Sequence, residues 1–179
     1  FIKEINLEID QDNILQDSFN QLHDKKPKDW KQKITISYKD NQGFDAGGLT
    51  KDWLTKLTNE LINPNLQIFE VSEENKNLIP SRSSFAKSPK GLEMLKFTGM
   101  IIARALMQGF LVPAHFTKPF LKQILHFESK VNKEDLMDAD PILFDSLEWY
   151  RNYDFDNNLE TEVYFEINDD EGNTIELVD

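Results

Sequence analysis

The chain contains no cysteine among its 179 residues. This absence excludes disulfides, thiolate metal sites and any cysteine nucleophile within these residues. It also fits a protein of a reducing compartment, so we expect an intracellular protein, either cytoplasmic or nuclear.

Long apolar runs and positive charge are also scarce. No segment approaches the ~18 apolar residues of a membrane-spanning helix, so no membrane span is expected. Acidic residues outnumber basic ones by 32 to 20, and the resulting net charge of -12 argues against a nucleic-acid binder. A hydrophobic content of 39% nevertheless indicates a globular protein with a core of its own. The first residue is Phe1 rather than Met, and we interpret the chain as a single domain over residues 1–179, cut from a longer protein.

The charge is unevenly distributed. Residues 81–133 carry nine Lys or Arg against two Glu, whereas residues 151–179 carry ten acidic side chains and one basic one, Arg151. The acidic residues are Asp154, Asp156, Glu160, Glu162, Glu166, Asp169, Asp170, Glu171, Glu176 and Asp179. Two interpretations remain open: a bipolar surface that orients a charged partner, or a solvated acidic hairpin and a basic helix face.

Apolar periodicity predicts an α+β fold that is predominantly helical, with short antiparallel strands and hairpins. Helices are predicted at 11–24, 49–62, 92–110 and 116–125, and from Pro141 onward. Strands are predicted at 34–38, 68–71 and 78–79, and in a hairpin over 163–177, whereas 81–90 is predicted to be a loop.

The segment from Leu92 to Phe110 is the most hydrophobic in the chain, so we expect its helix to be central to the core. Its polar positions form a thin stripe, which consists of Glu93, Lys96, Arg104 and Gln108. Three small residues, Gly99, Ala103 and Ala105, leave room for a close helix crossing.

A strong helix start is predicted at Asp140 and Pro141, with the aspartate as cap and the proline at the first helical position. Asp135 and Asp138 are expected to cap and flank the same helix.

No catalytic or metal-binding pattern emerges from the residues alone. The histidines, His23, His115 and His126, lack the close spacing of metal ligands. Asp154 and Asp156 begin a calcium-loop spacing, but the sixth position is Leu159 rather than glycine. We therefore predict neither a metal nor a cofactor, and a hydrolase built on paired carboxylates remains a minor alternative.

A glycine pair that follows an aspartate is the most informative motif. The motif consists of Gly43, Asp45, Gly47 and Gly48, followed by Lys51, Asp52 and Trp53. Physically it predicts a tight loop that enters a helix. Asp45 would cap free N–H groups, and Gly47 and Gly48 would either adopt positive φ or let another backbone come close. The block also resembles the signature near the start of HECT-type ubiquitin ligase domains.

Further blocks in the same order extend the resemblance over most of the chain. They are residues 14–22 and 34–38, Asn63-Pro64 with Ile68 to Glu70, Pro80 with Ser81 to Ser84, residues 97–106 and 120–125, and Asp135 to Leu147 with its Asp140-Pro141 pair. The resemblance implies the large subdomain of a HECT N-terminal lobe. Within it, Asp45, Gly47, Gly48, Gly99, Asp140 and Pro141 would have structural roles, and Trp53 and Phe97 would lie in the core.

The resemblance also implies what these residues omit, namely the subdomain that binds the ubiquitin-conjugating enzyme and the lobe with the catalytic cysteine. The parent would accept ubiquitin as a thioester and transfer it to a substrate lysine, and the partners would be the remainder of the domain, the conjugating enzyme and ubiquitin. No catalytic residue is predicted in this chain. Some members bind a second ubiquitin through aromatic residues, but Val71 stands at one such position and no residue is carried over. The alternative is a non-enzymatic acidic interaction module derived from the same fold.

Overall fold

A computed structural model describes residues 4–39, 48–72, 76–126, 132–154, 164, 166–168 and 172–177. The chain divides into two compact units, of which the first comprises Phe1–Phe69 and Ser84–Ala114, and the second comprises Glu70–Ser83 and His115–Asp179. Helices are the dominant element and the strands are short; those among the described residues form three two-stranded sheets, so the α+β prediction is confirmed. None of the described helices is long and apolar enough to cross a membrane.

The first unit opens with a parallel strand pair. β1 (Glu4–Ile9) pairs with β2 (Lys33–Tyr38), from Glu4 opposite Lys33 to Ile9 opposite Tyr38, and α1 (Ile14–Leu22) lies between them in sequence. This pairing differs from the antiparallel strands that we predicted, and β1 itself was not predicted. Antiparallel strands can be joined by a tight turn, whereas a parallel pair needs a long crossover, which α1 provides here.

Three helices complete the first unit: α2 (Gly48–Leu61), α3 (Ser84–Lys87) and α4 (Pro89–Met107). α4 begins earlier than predicted because the Ser88 side chain caps it, accepting a hydrogen bond from the Gly91 N–H at 3.1 Å. It ends at Met107, and Gly109 adopts a left-handed φ of 73°. The largest fully buried side chains of the unit are Leu7, Ile9, Leu22, Ile36, Trp53, Leu54, Leu57, Leu61, Ile68, Thr98 and Ile101.

The second unit contains most of β3 (Phe69–Val71), with β4 (Leu78–Pro80), α5 (Lys118–Ile124), α6 (Lys133–Ala139), α7 (Pro141–Asn152), β5 (Glu166–Asn168) and β6 (Thr174–Glu176). β5 and β6 pair antiparallel, with Ile167 opposite Ile175, so the predicted C-terminal hairpin is confirmed. Val163 and Phe165 of that prediction lie outside the described residues. Gly172, which precedes β6, has a φ of 83°, a conformation that favours glycine.

Two helices were missed. The predicted loop over 81–90 contains the single turn α3, and the residues predicted to flank α7 form α6. Asn132 caps α6 by accepting from the Asp135 N–H, while the Asp135 carboxylate accepts from the Asn132 N–H. The sequence signal for this reciprocal capping is an Asn followed three residues later by an Asp. It marks the start of α6, whereas Asp135 was expected to cap and flank α7.

Candidate functional site

The helix of the signature motif begins at Gly48, so the second glycine of the pair leads directly into α2. This confirms that a helix follows the motif. Gly48 itself does not adopt a positive φ, and no described atom lies within 4 Å of the position of an added Cβ, so the predicted backbone role of Gly48 is wrong. Gly43, Asp45 and Gly47 lie outside the described residues, and their predicted roles as cap and turn residues stay predictions.

Trp53 is the most deeply placed residue of the signature, with 0% of its surface exposed. Its indole N–H donates to the Ser18 hydroxyl at 2.8 Å, and Ser18 is also fully buried. The hydrogen bond satisfies the one polar atom of a large apolar side chain, and it ties α2 to α1 inside the first unit. The expected core position of Trp53 is thus confirmed.

Asp52, beside Trp53, links α2 to the parallel strands. The Tyr38 hydroxyl donates to its carboxylate at 2.8 Å, and the Lys56 ammonium lies 2.8 Å from the same oxygen. Lys56 also lies over the Tyr38 ring, 5.5 Å from its centroid. Partial burial alone would raise the pKa of Asp52, but the hydrogen bonds from Lys56 and Tyr38 outweigh it and lower that pKa.

The lowered pKa of Asp52 predicts a loss of stability in acid. A carboxylate with a depressed pKa contributes stability above its unfolded value, here 3.8, and loses it as the pH falls through its folded value. We expect Asp52→Asn to reduce the unfolding free energy by up to about 1 kcal/mol at pH 7, since the pair is partly exposed. The difference from wild type should shrink as urea titrations are taken below pH 3.8, and it should vanish once the pH lies below the lowered pKa of Asp52.

A matched control for this titration is Asp24→Asn. The Asp24 side chain is 66% exposed and lies 3.7 Å from Lys25, so its loss should change stability little at any pH. An Asp52→Asn deficit that stays constant down to pH 2 would contradict the electrostatic role of Asp52.

Arg104 corrects the predicted polar stripe of α4. Glu93, Lys96 and Gln108 are exposed, but Arg104 is only 7% exposed and donates from Nη1 to the Trp30 carbonyl at 2.8 Å. Burial lowers the pKa of Arg104. The aliphatic stem of an arginine can pack against a buried face. The prediction from helical spacing assumed that a charged residue is exposed, and for Arg104 this was wrong.

The small residues of α4 also differ from expectation. Ala105 is buried, but Gly99 and Ala103 are exposed, and no atom lies within 4 Å of where a Gly99 side chain would begin. The close approach within the first unit occurs instead at Gly91, where an added Cβ would lie 2.0 Å from the Phe85 carbonyl oxygen. Phe97, predicted to be in the core, is buried against Phe19 and Trp30 in edge-on ring contacts.

Asp140 and Pro141 act as predicted at the start of α7. The Asp140 carboxylate accepts from the Leu143 N–H at 2.9 Å, and Pro141 occupies the first turn. Asp135 instead lies inside the α5–α6 contact, where Lys122 donates to both of its oxygens at 2.6 and 2.7 Å. This hydrogen bond from Lys122, followed by that from the Asn132 N–H, lowers the pKa of Asp135.

A groove of about 620 Å³ lies in the second unit beside the start of α7. Its apolar wall includes Val71, Ile142 and Leu143, and its polar rim includes Glu70 and Arg82. The Glu70 carboxylate accepts from the Arg82 backbone N–H at 3.0 Å and from its Nε at 3.1 Å. The two charges therefore neutralise each other, and the groove offers an apolar contact surface rather than an acid–base pair.

Helices α5, α6 and α7 expose an unusual number of apolar side chains. Asp135 is the one buried residue that these three helices contain. The exposed large side chains of these helices are Leu121, Ile124, Met137, Ile142, Leu143, Leu147, Trp149 and Tyr150. Leu125, which directly follows α5, is exposed as well. An exposed apolar surface of this kind is typical of an interaction surface.

The described part of the chain contains side chains of the types that ligate metals, namely histidine, aspartate and glutamate. No group of three or more His, Asp or Glu side chains among them is placed to hold a metal ion. His23 stacks on Phe19 with a centroid separation of 4.7 Å, and its Nδ1 lies 2.8 Å from the Phe19 carbonyl, which is a structural arrangement.

Comparison with known proteins places these features in a family. The family model described as HECT-domain (ubiquitin-transferase) matches residues 55–179. E3 ubiquitin-protein ligase ptr1 of Schizosaccharomyces pombe is 34% identical over 164 residues, which are 90% of this chain. The chain spans only 5% of the length of that relative. Since the family model covers well over half of the residues, the chain belongs to the HECT-domain (ubiquitin-transferase) family.

Proposed function

We propose that this chain is a non-catalytic structural portion of a HECT-type ubiquitin-protein ligase. The parent protein accepts ubiquitin from a conjugating enzyme as a thioester on a cysteine outside these residues, and transfers it to a substrate lysine. The chain itself supports the packing of the remainder of the domain. Its partners are that remainder and, through the parent, the conjugating enzyme and ubiquitin.

One observation carries the proposal: a member of a ubiquitin-transferase family has no cysteine in 179 residues. A thioester needs a thiolate, and no other side chain can replace its sulfur. The buried signature residue Trp53 and the helix caps of α4 and α7 contribute to folding rather than to chemistry.

The experiment compares the parent protein with this chain. Each is incubated with ubiquitin, activating enzyme, ATP and a panel of conjugating enzymes, and the products are separated without reductant. We expect the parent to form a ubiquitin adduct that dithiothreitol removes, and the chain to form none. A parent that forms no such adduct with any conjugating enzyme would contradict the ligase function.

That negative outcome would favour the second candidate, a non-enzymatic acidic interaction module. The specific observation for it is the excess of acidic residues over 151–179, of which Glu166 and Glu176 on the hairpin are exposed. Such a module would bind a basic partner. Its affinity would fall steeply between about 50 and 200 mM salt, because the added ions screen the attraction between the opposite charges.

A further inference from the structure

One serine in the described part of the chain is exposed and makes no side-chain hydrogen bond there. The exposed serines that the structure describes are Ser37, Ser84 and Ser146. The Ser37 hydroxyl donates to the Leu7 carbonyl at 3.2 Å, and the Ser146 hydroxyl donates to the Ile142 carbonyl at 2.9 Å. The Ser84 hydroxyl has no such partner among the described residues, so it is available to react with a second molecule.

The charge around Ser84 is positive, although the chain as a whole is acidic. Residues 81–90 contain three basic side chains and no acidic one. Arg82 is 76% exposed, and Glu70 engages its Nε at 3.1 Å but leaves its terminal amino groups without a hydrogen bond to a described residue. Ser84 therefore stands between an exposed arginine two residues before it and an exposed lysine, Lys87, three residues after it.

Ser37 shows how the fold distinguishes two serines with similar flanking charges. Lys33 and Lys39 flank Ser37 in sequence, but both ammonium groups pair with carboxylates, at 2.8 and 2.9 Å. Ser37 also lies in β2, whose backbone pairs with β1. The hydroxyl, the backbone and the flanking charges of Ser37 are thus engaged within the fold, whereas the hydroxyl of Ser84 is open.

Ser84 begins α3, which is a single helical turn of four residues. The other end of this turn is anchored, since Ala86 is 3% exposed and the Ser88 hydroxyl donates to the Phe85 carbonyl at 2.6 Å. A helix of this length has little stability of its own. The Ser84 end can therefore open locally into the extended conformation in which an enzyme binds the segment that it modifies.

We propose that Ser84 is a phosphorylation site for a serine kinase that recognises basic residues on both sides of its target. Arg82 and Lys87 supply those residues, because such a kinase selects its substrates by their charge pattern. The Ser84 oxygen bonds to the γ-phosphorus of ATP while the bond from that phosphorus to the β,γ-bridging oxygen breaks. The hydroxyl proton passes to the catalytic base of the kinase, and ADP leaves. The phosphate adds about −2 charge and cancels most of the positive charge of residues 81–90.

The test incubates the folded chain with Mg²⁺, ATP and a purified calcium- and lipid-dependent serine kinase, a class that prefers basic residues on both sides of the serine. Peptide mass spectrometry should locate phosphate at Ser84 and none at Ser37. The double variant Arg82→Gln/Lys87→Gln should lower kcat/KM for this phosphorylation by about tenfold, because two charge pairs with the kinase are lost.

The matched control is the double variant Lys51→Gln/Lys96→Gln, which removes two exposed lysines far from Ser84 in sequence and should leave kcat/KM unchanged. All four substituted side chains are exposed, so both double variants should fold. Phosphate at Ser37 instead of Ser84, no phosphate at either, or an equal loss of kcat/KM in the two double variants would overturn the assignment. The result is independent of the ligase proposal, because the readout is phosphate on this chain and not a ubiquitin adduct of the parent.

Discussion

Gly91→Ala is expected to destabilise the chain more than any other single-atom enlargement of α4. The new Cβ would lie 2.0 Å from the Phe85 carbonyl oxygen and 2.8 Å from the Ala86 Cα, both of which are backbone atoms that cannot rotate away. The Phe85 oxygen also accepts from the Ser88 hydroxyl at 2.6 Å, and that hydroxyl caps Gly91. We expect a net loss of at least about 2 kcal/mol, because the overlap outweighs the higher helix propensity of alanine.

The measurement is urea unfolding followed by tryptophan fluorescence, since Trp30 and Trp53 are both buried in the first unit. The matched control is Gly99→Ala, the same substitution eight residues later on the same helix. An alanine there meets nothing within 4 Å, so the propensity gain should raise the unfolding free energy of the isolated chain by up to about 1 kcal/mol. Equal effects at the two positions would contradict the packing of α3 against α4.

The contrast between these glycines shows what a sequence can and cannot predict. Both are single glycines in an apolar helix, and the motif resemblance singled out Gly99. The need for glycine at position 91 arises because α3 turns back onto α4, and α3 was predicted to be loop. A close approach depends on tertiary geometry, and a periodic pattern does not contain that information.

The elements that were predicted correctly are those with local signals. The Ile34, Ile36 and Tyr38 alternation gave β2, and Asp140 followed by Pro141 gave the start of α7. β1 alternates equally well but was not recognised as a strand, because its stability comes from β2 some thirty residues away. Parallel pairing across such a distance has no turn signature to reveal it.

The candidate site was predictable in part. Trp53 in the core follows from apolar spacing and from the resemblance, whereas its partner Ser18 is a small polar residue of a separate helix. The buried position of Arg104 and the Lys122–Asp135 pair were also missed, because in each case the partner lies on a different element of the chain. Charged residues at helical spacing are usually solvated, and only the folded contacts reveal which ones are not.

The second large loss of stability is expected for Trp53, whose indole N–H is bonded to Ser18. Trp53→Ala removes a fully buried indole from the contact between α1 and α2, and core Trp→Ala substitutions lose about 3 to 5 kcal/mol. A loss of this size approaches the whole stability of a small domain, so we expect the isolated variant to be largely unfolded at 37 °C by circular dichroism.

The milder pair Trp53→Phe and Ser18→Ala tests the hydrogen bond itself. Each single variant leaves one buried polar atom without its partner, either the Ser18 hydroxyl or the indole N–H, and each should lose about 1 to 3 kcal/mol in urea unfolding. The double variant removes both polar atoms together, so its loss should be smaller than the sum by about 1 kcal/mol. Strict additivity would show that apolar packing alone holds the signature helix to α1, and that the hydrogen bond contributes nothing.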